Sequence, residues 1–575
     1  MIKRYSHTLV RGGSFLQLLL LATLPVSLAH GNSKVAPDIE NAAGSTKNVI
    51  VQFRHTPNTS DHQKVRARGG ALRHAWPAIH AAAYAVPAEA VSGLAADPDV
   101  AYVSPDREVK GSLDYSEETI NATLALQAGI DGKGIGVAIL DSGIMAADDL
   151  DGTGAKAQSR IVYSENFAPV AADTFDQYGH GTHVAGIIAG NGADSTGARY
   201  TYTFRGVAPD VQIINLRVLD KNGKGTDSSV IEAIYRAISL QSKYNIRVIN
   251  LSLGRRVFES YTQDPLCQAV EAAWNAGIVV VVAAGNNGRD DTLHTAGYGM
   301  INAPGNDPYV ITVGAMKTME TPSRSDDLIA GYSSKGPTLI DQVVKPDLVA
   351  PGNRIIALRA QNSVLGNAYP QDRVPYSAYA HGGNNRISQD YFELSGTSMA
   401  AAMVSGAAAL LLEQQPGLTP DQVKARLMKT ASKTFPTASL STDPATGTIY
   451  QSEYDIFTIG AGYLDVWAAL QSTDVSSGTA KSPTAVFDPA SGTVSVLFDT
   501  FETWGATPSW SSSVVWGDSV FQKLSSVVWG DSVVWGDTTS LGFSVIWGTS
   551  VVWGDALTNS PENVSSVNVL IYGEQ

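Results

Sequence analysis

The sequence predicts an α/β protein: a parallel β-sheet flanked by helices on both faces, with a small α+β unit before it and a β-rich tail after it. Three observations lead to this prediction. Between residues 130 and 470, apolar runs rich in Val and Ile alternate with helical patterns, as in parallel strands buried on both faces. A shorter segment with two strand-like runs precedes that region, and a pentapeptide ending in Trp-Gly-Asp recurs near the carboxyl end.

The alternation predicts the elements of the sheet. Strands are expected at Gly136–Leu140, Gln212–Leu219, Arg247–Leu253, Ile278–Ala284, Tyr309–Gly314 and Asp347–Ala350, and helices at Ser228–Lys243 and Pro265–Asn275. In the small unit before it, strands are expected at Lys47–Phe53 and Ala101–Val103, with helical patches around Gln63–Ile79 and Ala88–Ala95.

Composition limits the classes of function. The chain has 575 residues, with 40 Lys or Arg against 54 Asp or Glu and a formal net charge of −14. This balance excludes nucleic acid as the main partner, because phosphate binding needs clustered cations. The single cysteine, Cys267, excludes an intramolecular disulfide framework and a Cys-rich metal site, and is expected to be buried and inert.

The amino-terminal residues 1–29 have the pattern of a secretory signal peptide. Basic residues precede an apolar stretch, Phe15–Leu24, and Ser27-Leu28-Ala29 offers a small-x-small cleavage site. The stretch is shorter than the roughly 20 residues of a membrane span. We therefore expect a secreted protein with no membrane span in its mature form, an uncleaved anchor being the alternative.

Shifts in composition predict six segments. They are a signal peptide (1–29), a linker (30–46), the small α+β unit (47–112), the main domain (113–470), a second linker rich in Ser, Thr, Gly and Pro (471–512) and the repeat tail (513–575).

Three motifs at predicted element boundaries indicate a catalytic constellation. Asp141 ends a buried strand before a Ser-Gly turn, His180 opens a helix of small residues, and Ser398 begins a helix that is apolar almost all round. Taken singly, Asp141 could cap a turn and Ser398 could cap a helix. The order Asp…His…Ser is that of subtilisin-type triads.

The chemistry of a triad needs these residue types. A neutral Ser hydroxyl is a poor nucleophile, so His180 would take its proton during attack and return it to the leaving amine. Asp141 would fix the imidazole tautomer and stabilise the imidazolium. His183 is expected to be a hydrogen-bonded structural histidine, because no His-Glu-x-x-His motif supports a metal pair.

A fourth motif would complete an oxyanion site. A very apolar strand ends in Gly285-Asn286-Asn287. The Asn286 amide and the Ser398 backbone N–H, at a helix N-terminus, are suitable donors to an oxyanion. A turn role is the alternative for Asn286 and is the role expected for Asn287.

With these motifs in order, the region from about residue 115 to 470 resembles the subtilisin-like serine proteases (subtilases, peptidase S8), and Asp264–Val270 is similar to a bacterial AprX-like branch. Further motifs agree, among them Ser333-Ser334-Lys335-Gly336-Pro337. The resemblance implies a bacterial serine endopeptidase, extracellular or in the cell envelope, that hydrolyses protein or peptide substrates through an acyl-enzyme. It assigns the triad to Asp141, His180 and Ser398, and an oxyanion donor to Asn286.

The resemblance also implies a substrate cleft between two walls. One wall is Ser252-Leu253-Gly254, the opposing wall is Gly223-Lys224-Gly225, and Ala283-Ala284-Gly285 lines the S1 side. In such clefts the substrate backbone adds as a strand. Lys224 stands where the family often has a small residue, so the side-chain preference of the outer subsites does not follow from the resemblance.

Residues 47–112 resemble the inhibitor I9-type propeptide of this family, with Val100–Asp106 similar to its terminal stretch. By that resemblance the unit assists folding, blocks the cleft as an intramolecular inhibitor and is removed by a cut between about Lys110 and Thr119.

No cofactor is implied for catalysis, but the resemblance allows a structural Ca²⁺. Asp148, Asp149 and Asp151 form a local carboxylate cluster, in which Asp149 best matches a family ligand. The segment Asn191–Phe204 departs from the usual calcium loop, and a solvated acidic turn accounts equally well for the cluster, so no metal ligand is assigned.

The tail repeats Val514-Val515-Trp516-Gly517-Asp518 with small changes up to Asp555. A structural appendage in which Trp rings bury against each other is favoured. A binding strip for carbohydrate, peptide or the cell surface, and an aggregation-prone or export-related tail removed on maturation, are the alternatives.

Two other functions compete with the endopeptidase. One is a catalytically silent binding or adhesion protein on a subtilase scaffold that uses the Trp-rich tail, and the intact set of four residues argues against it. The other is a non-peptidase serine hydrolase, which the absence of a Gly-x-Ser-x-Gly elbow at Ser398 disfavours.

Overall fold

The computed structural model describes residues 34–35, 46–77, 80–105, 115–152, 158–168, 173–292, 295–382, 386–443, 446–488, 493–498, 502–504, 508–516, 565–566 and 574. The chain divides into two units, Met1–Lys110 and Gly111–Gln575. The predicted signal peptide and most copies of the tail pentapeptide lie outside the described residues. Among the described helices, none combines the length and the apolar character that a bilayer crossing requires.

The first unit is an antiparallel sheet with two helices. Its elements are β1 (Thr46–Phe53), α1 (Thr59–Ala67), β2 (Ala71–Trp76), β3 (Ala81–Pro87), α2 (Ala90–Ala95) and β4 (Val100–Pro105). The strand order is β2-β3-β1-β4. Val49 and Val51 of β1 are fully buried in a core shared with Val65 of α1 and Leu94 of α2. This alternating burial gives the unit a core of its own.

Two predictions for this unit need correction. The helical patch expected over Gln63–Ile79 is helical only up to Ala67, because the chain turns at two glycines and continues as β2, which pairs with β3. The segment 30–46 is not wholly a linker, because Val35 bridges Val103 and β1 already begins at Thr46. The expected strands at Lys47–Phe53 and Ala101–Val103 are confirmed as β1 and β4.

The second unit holds the remaining elements. Its strands are β5 (Gly136–Asp141), β6 (Ile161–Asn166), β7 (Gln212–Arg217), β8 (Ile246–Leu251), β9 (Leu253–Gly254), β10 (Val279–Ala283), β11 (Ile311–Lys317), β12 (Leu328–Ile329), β13 (Leu348–Pro351), β14 (Ile355–Leu358), β15 (Arg373–Pro375), β16 (Ile387–Leu394), β17 (Ala438–Thr442), β18 (Ile449–Glu453), β19 (Thr484–Asp488), β20 (Thr493–Leu497) and β21 (Ser565–Ser566). Its helices are α3 (Ser116–Thr119), α4 (Ala122–Gln127), α5 (His180–Ala189), α6 (Asp227–Tyr244), α7 (Pro265–Asn275), α8 (Val364–Ala368), α9 (Thr397–Gln414), α10 (Pro420–Thr430), α11 (Val466–Gln471) and α12 (Ser512–Trp516).

The central sheet has the order β12-β11-β10-β8-β5-β7-β6, with β13 also paired to β11. Every pair is parallel except β11–β12, so the sheet is mixed at one edge rather than wholly parallel as expected. Strand β5 is buried over its full length, which requires cover on both faces. Helices α5 and α9 pack together against the sheet, and so do α6 and α7.

The two predicted helices are confirmed as α6 and α7, and their starts follow from capping. Thr226 accepts a hydrogen bond from Ser229 N at 3.3 Å, and Asp264 accepts one from Leu266 N at 2.9 Å, with Pro265 in the first turn of α7. Cys267 of α7 is fully buried, and this burial raises the pKa of its thiol, as expected for an inert cysteine.

The predicted linker 471–512 is wrong for its described residues. Strands β19 and β20 form an antiparallel hairpin, and Ala485, Val494 and Val496 are buried in the main core. Apolar alternation within a Ser- and Thr-rich stretch was enough to build a packed hairpin.

The described residues of the first tail pentapeptide, Val514–Trp516, are helical rather than strand-like. They lie in α12, which packs on α10. The Trp516 ring contacts the Trp504 ring at 71° with centroids 5.1 Å apart, and both rings are buried. A shared apolar surface with α10 therefore overrides the β propensity of the Val-Val-Trp sequence.

This packing predicts a large stability difference between two neighbours. Trp516 is 2 % exposed and Val514 is 41 % exposed. In a Ser398→Ala background, Trp516→Ala is expected to lower the free energy of unfolding by about 3–5 kcal/mol, because it removes a buried indole. Val514→Ala is the matched control, with an expected change within about 0.5 kcal/mol. Equal denaturant midpoints for the two variants would contradict this packing.

Candidate active site

Asp141 lies at the carboxyl end of β5, in the middle of the sheet. Its main-chain carbonyl accepts from Val218 N at 2.8 Å, and its carboxylate Oδ1 accepts from Ser142 N at 2.7 Å. Open α/β sheets collect functional groups at this edge. The strand thus presents a buried carboxylate, 1 % exposed, with part of its charge already hydrogen-bonded.

His180 is the first residue of α5 and lies against this carboxylate. Its Nδ1 is 2.8 Å from Asp141 Oδ1 and 2.9 Å from Oδ2, and the histidine is fully buried. The approach depends on Gly181, where an added Cβ would lie 2.2 Å from the Gly143 carbonyl oxygen. The small residues of the predicted helix therefore allow α5 to begin on the Asp141 turn.

Asp176 holds the start of α5, and sequence reasoning missed it. Its Oδ1 accepts from Ser142 Oγ at 2.8 Å and from Gly179 N at 2.6 Å, and its Oδ2 accepts from Thr182 N at 2.8 Å. Full burial raises the pKa of Asp176. The available signal was an acidic residue just before a helix start, where it satisfies free N–H groups.

Two opposing effects set the charge state of His180. Burial by itself lowers the pKa of the imidazole, whereas the Asp141 carboxylate raises it, and the net pKa is above the ordinary value of 6.5. His180 Nε2 has no hydrogen-bond partner among the described residues. The ring is therefore oriented through Nδ1 and leaves Nε2 able to exchange a proton.

His183 is hydrogen-bonded, as the sequence predicts. Its Nε2 lies 3.1 Å from the carbonyl oxygens of both Ile355 and Phe392. Burial lowers the pKa of His183 to about 3, so the ring is neutral at physiological pH. It joins α5 to strands β14 and β16.

Ser398 lies in the first turn of α9 and is buried. Its hydroxyl donates to the Ser252 carbonyl at 3.2 Å, and the Ser252 hydroxyl donates to the Ser398 carbonyl at 2.9 Å. Helix α9 packs on both α5 and β8, and the two hydrogen bonds join the start of α9 to the residue that follows β8. No hydrogen bond joins the Ser398 hydroxyl to His180 among the described residues.

Asn286 follows β10 and is oriented by the residue before Ser398. Asn286 Oδ1 accepts from Thr397 N at 2.9 Å and from Thr397 Oγ1 at 3.0 Å. Since one side of the amide is used as an acceptor, Nδ2 is directed away from Thr397. Asn287 has the expected turn role, because its carbonyl oxygen accepts from Asp290 N at 2.9 Å.

The predicted walls lie at the same edge. Ser252 and the two residues of β9 are buried, and Ala283 ends the buried strand β10, with Ala284 and Gly285 directly after it. On the opposing wall Lys224 is exposed between two buried glycines, and Asp220 fixes the turn by accepting from Lys224 N at 3.0 Å.

Arg255, which sequence reasoning missed, ties the two walls together. It directly follows the wall 252–254, and its Nε donates to both carboxylate oxygens of Asp227 at 3.0 Å, just beyond the wall 223–225. Its Nη2 also donates to Asp264 Oδ1 at 2.8 Å. Paired carboxylates thus satisfy a guanidinium that is only 7 % exposed.

The oxygens of Asp149, the best match in the sequence to a calcium ligand, already accept hydrogen bonds. Its carboxylate accepts from Asp194 N at 2.7 Å and from the Tyr391 hydroxyl at 2.9 Å. Its main-chain carbonyl accepts from Arg160 Nη2 at 2.8 Å, so a cation already occupies this neighbourhood. Ca²⁺ requires six to eight oxygen ligands, and donors hold the oxygens here, so no calcium ligand is assigned.

One glycine controls the approach of Asn286. Gly396 has φ of +153°, and a Cβ there would lie 3.0 Å from Asn286 Nδ2. Gly396→Ala is expected to lower kcat about tenfold or more, because it would displace Asn286, the predicted oxyanion donor, and complete loss of such a donor costs roughly 10²–10³-fold. Gly417→Ala, where nothing lies within 4 Å of the added Cβ, is the control and should leave kcat unchanged. Peptide-hydrolysis kinetics giving equal kcat values would contradict the geometry.

Comparison with known proteins shows the family to which the chain belongs. The family described as "Subtilase family" matches residues 132–452. Serine protease AprX of Bacillus subtilis (strain 168) is 39 % identical over 339 residues, which are 57 % of this chain and 68 % of that protein. Subtilisin E of the same strain is 32 % identical over 427 residues, which are 73 % of this chain and 93 % of that protein.

A third relative extends the comparison to another genus. Thermostable alkaline protease of Halalkalibacterium halodurans is 31 % identical over 358 residues, which are 62 % of this chain and 78 % of that protein. The matched region contains the motifs on which the resemblance rested. The chain belongs to the subtilase family and is a serine-type endopeptidase.

Proposed function

We propose that this chain is an exported endopeptidase made as a self-processing zymogen, with Asp141, His180 and Ser398 as its triad. The observation that carries the proposal is the buried contact of 2.8 Å between Asp141 and His180 Nδ1, with Nε2 unpaired among the described residues. In this arrangement the buried carboxylate raises the pKa of the imidazole, and the imidazole acts as a base through Nε2.

In the first half-reaction Ser398 Oγ attacks the peptide carbonyl carbon while its proton passes to His180 Nε2. This step requires the hydroxyl to turn from the Ser252 carbonyl toward His180. The charge on the tetrahedral oxygen is stabilised by Asn286 Nδ2 and the Ser398 backbone N–H. As the C–N bond breaks, His180 returns the proton to the leaving amine, and an acyl ester of Ser398 remains.

In the second half-reaction water takes the place of the amine. His180 removes a proton from the water as its oxygen attacks the ester carbonyl, and the same donors stabilise the second oxyanion. His180 then protonates Ser398 Oγ as the ester bond breaks. Asp141 retains its negative charge throughout and stabilises the imidazolium.

The substrate is a protein or peptide that adds as a strand between Ser252-Leu253-Gly254 and Gly223-Lys224-Gly225, with its P1 side chain near Ala283-Ala284-Gly285. Exposure of Lys224 and the Arg255–Asp227 link between the walls support this assignment.

The first unit acts in this proposal as a propeptide and intramolecular inhibitor. Its separate core and four-stranded sheet support a module that folds as a unit and is released by one cut between about Lys110 and Thr119. Export directed by residues 1–29 places the mature enzyme outside the cytoplasm, in the medium or the cell envelope.

Self-processing is tested by intact mass over time on purified chain without residues 1–29. Wild type is expected to lose the segment that ends between residues 110 and 119, because its own triad makes the cut. Ser398→Ala should keep the segment. Ser405→Ala, on the same helix and bonded to Asn250 Oδ1 at 2.8 Å, is the control and should process like wild type. Retention by wild type, or equal loss by Ser398→Ala, would contradict the proposal.

A further inference from the structure

Residues near the carboxyl end of the second unit contact the rest of that unit at two places on the edge of the sheet that carries Asp141. Strand β21 pairs antiparallel with β9, with Ser565 opposite Gly254 and Ser566 opposite Leu253. Further along, Glu574 is 1 % exposed and lies against Arg289, Lys317 and Asn353. Arg289 and Asn353 follow β10 and β13, and Lys317 ends β11. The edge that carries Asp141 therefore also carries the end of the chain.

The Glu574 carboxylate is held by three donors. Arg289 Nη2 donates to Oε1, Gly331 N donates to Oε2 at 2.8 Å, and Lys317 Nζ lies 3.4 Å from Oε2. Lys317 is itself buried at 2 % exposure. Two cations and a main-chain N–H converge on one carboxylate, a donor set typical of a specific anion site.

Asn353 binds the main chain of the same residue. Its Oδ1 accepts from Glu574 N at 2.9 Å, and its Nδ2 donates to the Glu574 carbonyl oxygen at 2.9 Å. The side chain and both main-chain polar groups of Glu574 are thus satisfied by the second unit. The site therefore binds a glutamate within a peptide, rather than a free anion.

The charges around this pocket favour an anionic occupant. Arg289 also pairs with Asp443 at 3.0 Å, and Lys317 also donates to Ser441 Oγ at 3.2 Å. Without Glu574, Arg289 and the buried Lys317 would lose a carboxylate that both contact. Removing one partner of a buried ion pair is costly, so Glu574 stabilises the pocket.

The second contact uses the edge of β9, which belongs to the proposed substrate wall. Ser252, directly before β9, exchanges two hydrogen bonds with Ser398. One strand edge pairs with one added strand at a time. A segment paired with β9 thus excludes a peptide that would pair there.

We propose that the carboxyl-terminal segment is an intramolecular ligand of the peptidase unit: Glu574 sits in the pocket of Arg289, Lys317 and Asn353, and residues 565–566 occupy the β9 edge in competition with peptide substrate. The competition rests on the proposed function, which assigns β9 to the substrate cleft. The pocket itself is independent of that assignment. An attached ligand acts at an effective concentration on the order of millimolar, so a weak contact suffices for inhibition.

The competition is tested by kinetics on the processed chain with a chromogenic peptide. Glu574→Gln keeps the size of the side chain but removes the charge, so the tail is released more often. The apparent KM is expected to fall at least threefold with kcat unchanged. Glu232→Gln, exposed on α6, is the matched control and should match wild type. A Glu574→Gln variant with the KM of wild type would overturn the competition.

A binding measurement tests the pocket without activity. A fluorescent peptide with the sequence of residues 565–575 is titrated into Ser398→Ala and into Ser398→Ala/Glu574→Gln. The double variant, whose own tail is weakened, is expected to bind the peptide at least tenfold more tightly. The same peptide with Gln in place of the glutamate should lose that affinity. Equal affinity of the peptide for both proteins, or equal affinity of the two peptides for one protein, would overturn the proposal that this pocket binds Glu574.

The kinetic and binding measurements distinguish failure of the proposed triad from failure of the proposed Glu574 pocket. A protein that hydrolyses nothing would refute the triad assignment, yet the titration would still decide whether the pocket binds the chain end. Thermal unfolding of each variant checks that Glu574→Gln remains folded. If it does not, Asn353→Ala, which removes only the main-chain contacts of Glu574, replaces it in the kinetic measurement with the same expected fall in KM.

Discussion

The hydrogen bond between the buried Asp141 carboxylate and the His180 imidazole is the constraint on which the arrangement of the second unit depends. A carboxylate at this depth is costly unless its oxygens are bonded. The Ser142 N–H and His180 Nδ1 meet that need, and Asp176 fixes the helix start that carries His180. The end of β5 and the start of α5 are thereby locked together by polar contacts inside an apolar core.

The same edge gathers the remaining groups because parallel strands end together. Ser252 follows β8, Asn286 follows β10 and Arg255 links the two walls, so each proposed role is placed by a strand end and a short turn. The carboxyl end of the chain is bound there too, through Glu574. In this account the tail competes with substrate at the site, a role that none of the interpretations of its sequence included.

The sequence correctly predicted those elements whose formation depends mainly on residues close together in the chain. Fully buried strands such as β5 and β10 are continuous apolar runs, and the motifs around Asp141, His180 and Ser398 lie at element boundaries visible in the sequence. Asp176 carried a local signal, an acidic residue just before a helix start, that was not used. Arg255 was missed because Asp227, its partner across the two predicted walls, is distant along the chain. The helix over Val514–Trp516 and the strand β2 were misassigned because packing partners, α10 and β3, overrode intrinsic preference. The prediction of a linker at 471–512 was wrong because it relied on the Ser- and Thr-rich composition and overlooked the apolar alternation that forms the β19–β20 hairpin.

The most direct test of the central claim is the reaction of the chain with a fluorophosphonate as a function of pH. Ser398 Oγ displaces fluoride, so one adduct is expected, located at Ser398 by peptide mass mapping. Because His180 accepts the proton only when neutral and its pKa is raised, the rate should be lost as pH falls through a midpoint above 6.5. Asp141→Asn should slow the reaction by roughly 10⁴-fold. An adduct elsewhere, a rate independent of pH, or an Asp141→Asn chain that reacts like wild type would contradict the account.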